Sequence, residues 1–281
     1  SIQHDLKNTI FSFIPNTAET AFYGMLKGME DYLNRVKIER ILSWGKDFDA
    51  EKLSEMIQRR IRIEKIAIKD VKMRTFITED ANRNEMVQHV YDITYGTVRP
   101  GEDTLVVIDD SIIRGTTLKE SIIRMLSRLK PKRIVIVSSS PQIRYPDCYG
   151  IDMSKMGDFI AFNAAVSLAK ERGKEDHLKQ MHERCRELQR NHQLESENVV
   201  KQLYKLFTTE EISAKIAELI TPPGLTVPVE VIFQSIEDLH RSCPNNLGDW
   251  YFTGNYPTPG GNKVVNKAFM NYMEGKNVRG Y

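Results

Sequence analysis

No stretch of this chain limits its possible folds more than Leu105-Val-Val-Ile-Asp-Asp-Ser-Ile-Ile-Arg-Gly-Thr-Thr117. Four β-prone apolar residues in a row, Leu105 to Ile108, predict a strand buried on both faces, the habit of a parallel sheet covered by helices. The strand ends in two carboxylates, Asp109 and Asp110. A short loop with Ser111, Arg114 and Gly115 follows, and Thr116 and Thr117 then open a helix whose apolar face is Leu118, Ile122, Ile123, Leu126 and Leu129. Thr117 and Glu120 stand in the S/T-x-x-E spacing of a capping box. A hydroxyl-rich loop at a helix start offers unpaired backbone N–H groups and the positive end of the helix dipole to an anion. The upstream carboxylates would repel that anion, so they suit hydroxyl donors or a metal ion. A ribose 5-phosphate derivative, with hydroxyls at one end, a phosphate at the other and Mg²⁺ nearby, meets both demands.

The flanking sequence extends the α/β pattern. Phe11-Ser-Phe-Ile-Pro15 reads as a strand entering a loop, followed by helical spacing through Met25, Met29 and Leu33 and again at Leu53, Met56 and Ile57. Ile61 to Ile68 and Arg133 to Ser138 read as further strands. Alternation of this kind predicts a parallel sheet flanked by helices, with ligands at the C-terminal ends of the strands. From Gly157 the chain reads as mainly helical, with a break at Thr221-Pro-Pro-Gly224 and a Gly/Pro/Asn-rich tail from Pro244. We therefore divide it into a core, 1–172, and a mostly helical extension, 173–281.

Length and charge exclude more than they assign. With 281 residues there is ample chain for a buried core, and 40 basic against 38 acidic residues leave a net charge of +2. That balance gives no general attraction to nucleic acid or membranes. No apolar run approaches a membrane span, and Ser1-Ile-Gln-His-Asp5 has no signal-peptide character. The three cysteines, Cys148, Cys185 and Cys243, have no metal spacing and fit a reducing, cytoplasmic setting. His89, His177 and the other histidines show no ligand spacing either.

The opening segment resembles the phosphoribosyl-pyrophosphate (PRPP) motif of type I phosphoribosyltransferases. Three more stretches, Arg74-Thr-Phe-Ile77, Arg144-Tyr-Pro-Asp-Cys-Tyr-Gly-Ile-Asp-Met153 and Phe252-Thr-Gly-Asn-Tyr-Pro-Thr258, narrow the resemblance to the glutamine amidophosphoribosyltransferase family, over roughly Phe11 to Thr258. The resemblance implies a type I phosphoribosyltransferase fold. It also implies the first step of purine biosynthesis, in which ammonia from glutamine displaces pyrophosphate from C1 of PRPP to give 5-phosphoribosylamine. Asp109 and Asp110 are then expected to hold the ribose 2- and 3-hydroxyls and to bind Mg²⁺. Ser111, Arg114, Gly115, Thr116 and Thr117 are expected to bind the 5-phosphate. Ile14-Pro-Asn-Thr-Ala-Glu-Thr20 resembles the family's pyrophosphate loop, which makes Glu19 and Thr20 PRPP ligands and Thr20 a further metal ligand; a plain strand–helix turn capped by Thr17 or Thr20 is the alternative. Arg74 and Lys72 are the cations expected to stabilise the leaving pyrophosphate. Arg144 and Asp152 either close the site and contact a nucleotide or a partner domain, or form a structural ion pair. Tyr251, Phe252 and Tyr256 read as packing.

Departures from the family pattern carry their own expectations. The catalytic loop, rich in Lys, Arg, Tyr and Gly in the family, here reads Ile68-Lys-Asp-Val-Lys-Met73, with Lys69 and Lys72 but no Tyr or Gly. The family's glutaminase domain begins with a nucleophilic Cys, whereas this chain begins at Ser1. The expectation is the C-terminal portion of the enzyme, without that domain, using ammonia alone. Gly248 and Tyr251 occupy the Cys-x-x-Cys positions of members with an iron–sulfur cluster, so no cluster is expected. A homo-oligomer inhibited by purine nucleotides completes what the resemblance implies. Two other classes remain: a phosphoribosyltransferase acting on a free base, and a non-catalytic PRPP- or nucleotide-sensing module.

Overall fold

The computed structural model describes residues 5–15, 17–46, 49–69, 91–147, 153–246 and 248–280. Its main sheet has five strands: β1 (Thr9–Phe13), β2 (Arg62–Ile63), β5 (Thr104–Asp109), β6 (Arg133–Ser138) and β7 (Val229–Phe233), in the order β2-β1-β5-β6-β7. β1 runs parallel to both β2 and β5, with Ile10 opposite Leu105 and Phe13 opposite Ile108. Two short antiparallel strands, β3 (Ala67–Lys69) and β4 (Tyr91–Ile93), make a separate ribbon. The helices are α1 (Glu19–Ser43), α2 (Ala50–Gln58), α3 (Ile123–Ser127), α4 (Ile160–Glu171), α5 (Glu175–Arg190), α6 (Lys201–Tyr204), α7 (Thr209–Ile220), α8 (Ile236–Ser242), α9 (Trp250–Thr253) and α10 (Pro259–Met273). The expected α/β class, a parallel sheet flanked by helices followed by a mainly helical stretch, is what the chain adopts.

Two compact units divide the chain. The first comprises residues 1–110, 120–137 and 224–228, and the second 111–119, 138–223 and 229–281. In the first unit the apolar run of β5 behaves as its sequence requires: Leu105, Val106, Val107 and Ile108 are all buried, together with Ile10 on β1 and Ile134 and Ile136 on β6. Ile122, Ile123 and Leu126 are fully buried, so the face predicted for the helix after Thr117 is the face it hides. The run from Ile61 to Ile68, expected as one strand, is two. β2 stops at Ile63, and the Ile66 N–H donates to the buried Ser12 hydroxyl instead of to a strand neighbour.

The second unit is built on helix packing. Along α5 the residues Leu178, Met181, Cys185 and Leu188 are buried, a three-or-four-residue spacing that the surrounding charges conceal. α7 carries a full capping box: the Thr208 hydroxyl accepts from the Glu211 N–H while the Glu211 carboxylate accepts from the Thr208 N–H. It ends at Ile220, just before the predicted Pro-Pro break. The Gly/Pro/Asn-rich tail contains α10, which opens on Pro259 in the first turn and buries Val265, Ala268 and Phe269. Among the described residues no helix is long and apolar enough to cross a membrane.

Candidate active site

Parallel pairing of β1 with β5 fixes which residues leave the sheet at its C-terminal edge. Past Phe13 the pairing goes one step further, with the Ile14 N–H donating to the Ile108 carbonyl at 2.9 Å. In the first unit this register sets the turn into α1 beside the acidic end of β5. Glu19 and Thr20, the first residues of α1, are exposed there, as is Thr17. Ala18 occupies the cap position and gives no side-chain bond, so neither Thr17 nor Thr20 serves as the cap. Glu19 accepts a long bond, 3.4 Å, from the Tyr23 hydroxyl.

Asp109 ends β5 and Asp110 follows it, both half-buried, and the Asp110 N–H donates to Asp109 Oδ1 at 3.0 Å. Withdrawal from water and the adjacent Asp110 charge push the Asp109 carboxyl up to about 7. Two carboxylates forced together at a strand end disfavour their own ionised state. A cation or a set of hydroxyl donors would relieve them, which is the usual reason such a pair is found at a site.

The chain enters the second unit at Ser111. Here Gly115, not Thr117, starts the helix. Thr116 and Thr117 are already helical, and the Lys119 N–H donates to the Gly115 carbonyl at 3.0 Å. The expected Thr117–Glu120 capping box is therefore replaced, because a residue inside the helix cannot cap it; Glu120 instead lies 3.7 Å from Arg124. Glycine is needed at 115 on two counts. Its φ is +72°, and a Cβ there would stand 2.8 Å from Ile220 Cγ2. Leu118 to Ile122 then take π-helical geometry before α3 begins. The N–H groups of the first turn precede the hydrogen-bond ladder and have no helical acceptor. Thr116 is exposed and Thr117 half-buried beside them. Arg114 is drawn away from a purely phosphate role by Asp158, 3.2 Å from its Nη2.

Asp152, the expected counterpart of Arg144, lies outside the described residues, as do Lys72, Arg74 and Cys148. Arg144 donates to Gln142 Oε1 at 2.7 Å and to the Thr209 hydroxyl at 3.2 Å, and its guanidinium lies 5.1 Å from the Tyr204 ring centre. The N–H groups of Arg144 and Tyr145 donate to the Tyr251 carbonyl, and the Tyr256 hydroxyl donates to the Pro146 carbonyl at 2.7 Å. Two signatures more than a hundred residues apart thus brace each other, and Tyr251 and Tyr256 are packing and hydrogen-bonding residues as expected.

One buried acid went unnoticed in the sequence. Asp103, just before β5, is fully buried and accepts from Arg62 at 2.5 and 3.0 Å and from Arg99 Nη2 at 2.6 Å. Burial would raise its carboxyl, but the bonds from Arg62 and Arg99 overcome that and hold it at about 2. Arg62 lies 41 residues away, a separation that no local pattern reveals.

No family model matches the chain. The amidophosphoribosyltransferases of Pasteurella multocida and Haemophilus influenzae are each 42% identical to it over 65 residues, 23% of this chain and 13% of either relative. That of Staphylococcus epidermidis is 36% identical over 88 residues, 31% of this chain and 17% of the relative. Among solved structures, a glutamine PRPP amidotransferase from B. subtilis complexed with ADP and GMP matches 89% of this chain and 38% of its own, at 21% identity and a TM-score of 0.45. The matched segments span 13–17% of these curated relatives, and over 23–31% of its length this chain is similar in sequence to the amidophosphoribosyltransferases.

Proposed function

We propose that the chain is the phosphoribosyltransferase portion of an amidophosphoribosyltransferase, which joins ammonia to C1 of PRPP and releases pyrophosphate. The observation that carries this reading is the carboxylate pair closing a buried parallel strand, followed at once by a glycine-started helix with two threonines in its first turn. In this reading Asp109 and Asp110 accept hydrogen bonds from the ribose 2- and 3-hydroxyls. Ser111, Gly115, Thr116 and Thr117 receive the 5-phosphate through hydroxyls and first-turn N–H groups. Arg114 contributes positive charge nearby while remaining tied to Asp158.

Displacement at C1 passes through a sugar with cationic, oxocarbenium-like character. The protein's task is to hold both ends of the substrate, keep water away and neutralise the departing pyrophosphate. Once substrate hydroxyls or a cation favour their ionised forms, Asp109 and Asp110 also stabilise the positive charge that develops on the sugar. Glu19 and Thr20 stand at the same sheet edge, where the pyrophosphate end would lie, and Lys72 and Arg74 supply the cations for it. No protein nucleophile is needed, so ammonia itself attacks C1.

The donor set suits Mg²⁺. Mg²⁺ is commonly held by one or two carboxylates together with substrate oxygens. Asp109, Asp110 and Thr20 would hold it, and it would supply positive charge to the pyrophosphate. Pyrophosphate release from PRPP, followed with and without ammonium chloride, tests the reading. Ammonia-dependent release supports it. Release only with a free purine base, or PRPP binding with no release under either condition, overturns it in favour of a salvage transferase or a sensor.

A further inference from the structure

Far along the chain from the acidic pair, the second unit carries a cleft of about 490 Å³ that none of the steps above uses. Its volume lies within the range of about 300–1,000 Å³ typical of small-molecule sites. One wall is α6 with the turn before it, and the other is the Gly254–Tyr256 segment with Asn262. Lys201 and Lys205, one helical turn apart, both line it. The one carboxylate in the lining, Glu197, is already engaged by Arg184, whose Nη2 and Nε lie 2.7 and 2.8 Å from its Oε1. The cleft is thus left with positive charge. Lys201 also donates to Asn255 Oδ1, which holds its ammonium at the wall. Withdrawal from water and the neighbouring Lys205 lower the Lys201 pKa, outweighing the opposing pull of the Asp249 carboxylate.

A second observation points to a ligand with more than a charge. Asn198 Nδ2 donates to the Gly254 carbonyl at 3.1 Å, which fixes the orientation of the amide. Its Oδ1 is buried with no hydrogen-bond partner among the described residues, and Asn198 itself lines the cleft. An orphaned buried acceptor costs free energy until a donor reaches it. Gly254 makes this closeness possible: its φ is +69°, and a Cβ would stand 2.5 Å from Asn198 Nδ2.

We propose that this cleft binds a phosphate monoester that carries a hydroxyl close to the phosphate, with Lys201 and Lys205 on the oxyanion and Asn198 Oδ1 accepting from the hydroxyl. The phosphate lies between the two ammonium groups, and the hydroxyl supplies the donor that Asn198 lacks. A lone phosphate ion would satisfy the charge and leave the amide oxygen orphaned.

Calorimetric titration of the full chain with glycerol 1-phosphate and with inorganic phosphate, at matched ionic strength, tests this. The K201M/K205M variant keeps the aliphatic stems and removes the charge, while K201R/K205R keeps the charge. The expected result is one equivalent of glycerol 1-phosphate bound by wild type and by K201R/K205R that is lost in K201M/K205M, with Mg²⁺·PRPP affinity the same in all three. Glycerol 1-phosphate should also bind at least about tenfold more tightly than inorganic phosphate, the factor that 1.4 kcal/mol brings. Identical isotherms for wild type and K201M/K205M overturn the site. Equal affinity for the two probes overturns the role of Asn198. Either failure leaves the PRPP reading untouched, because the two sites share no residue.

Discussion

Strand β5 ends in Asp109 and is immediately preceded by Asp103, and the two aspartates are treated in opposite ways. Asp103, at the N-terminal end, is fully buried and surrounded by donors from Arg62 and Arg99. Asp109, at the C-terminal end, stands next to another carboxylate and accepts from the Asp110 N–H at 3.0 Å. One carboxyl is held at about 2 and the other is pushed up to about 7. The same residue type on the same strand is thus a clamp at one end and an unrelieved charge at the other. A clamp adds to stability. Two adjacent carboxylates that raise their own pKa cost stability, and such perturbed groups cluster at ligand sites. In a parallel sheet the C-terminal end is also where ligands bind.

The largest expected effect breaks the acidic end. D109N/D110N removes the acceptors for ribose hydroxyls and the metal-binding charge, and turnover of PRPP with ammonia should fall at least about a hundredfold, some 2.7 kcal/mol of transition-state stabilisation. Its melting temperature should equal or exceed that of wild type, because the substitution relieves a like-charge contact. Near-normal turnover in this variant would erase the distinction between the two ends.

Breaking the clamp should do the reverse. D103N strands the Arg62 and Arg99 guanidinium groups, and urea unfolding should show a loss of about 2–3 kcal/mol, below the full range for a buried pair because both arginines are partly exposed. Turnover by the folded fraction should stay near wild type. A variant as stable as wild type would make Asp103 a bystander.

How much of this contrast was readable in the sequence depends on whether the cause is local. Leu105 to Ile108 followed by Asp109 and Asp110 is a contiguous pattern, and it placed the strand, its burial and the acids correctly. The helix beyond it follows from the spacing of Leu118, Ile122 and Leu126, but its start does not. Thr117 and Glu120 have capping-box spacing, yet Gly115 starts the helix because a left-handed residue is needed where the chain passes close to Ile220. Asp103 was illegible for a different reason, since its role depends on Arg62, which joins it only when β2 pairs with β1. The cleft of Lys201 and Lys205 was equally hidden, being assembled from segments some fifty residues apart. Lys72, Arg74 and Asp152 lie outside the described residues.

A smaller effect, in pH, separates the two aspartates without changing any ligand. The Asp103 pKa is depressed on folding, so its contribution is present above the unfolded value near 3.8 and is lost as pH falls toward 2. Its full size is about 2.5 kcal/mol at roughly 1.4 kcal/mol per unit. The Asp109 pKa is raised, so the folded state is favoured with that group protonated, below the unfolded value, and stability declines as pH rises toward 7. Urea midpoints measured from pH 2 to 8 should therefore lose their acid-side slope in D103N and their slope between about 4 and 7 in D109N/D110N. Parallel profiles for the two variants would mean that the ends of β5 do not differ as described.

The most direct test of the central claim, that the acidic end of β5 is a ligand site, is a calorimetric titration of Mg²⁺·PRPP into three folded proteins: wild type, D103N and D109N/D110N. Wild type and D103N should bind with similar affinity, while D109N/D110N should bind at least about tenfold more weakly, a loss of 1.4 kcal/mol or more. Equal affinity in all three would contradict the account, because the carboxylates at the end of β5 would then hold nothing.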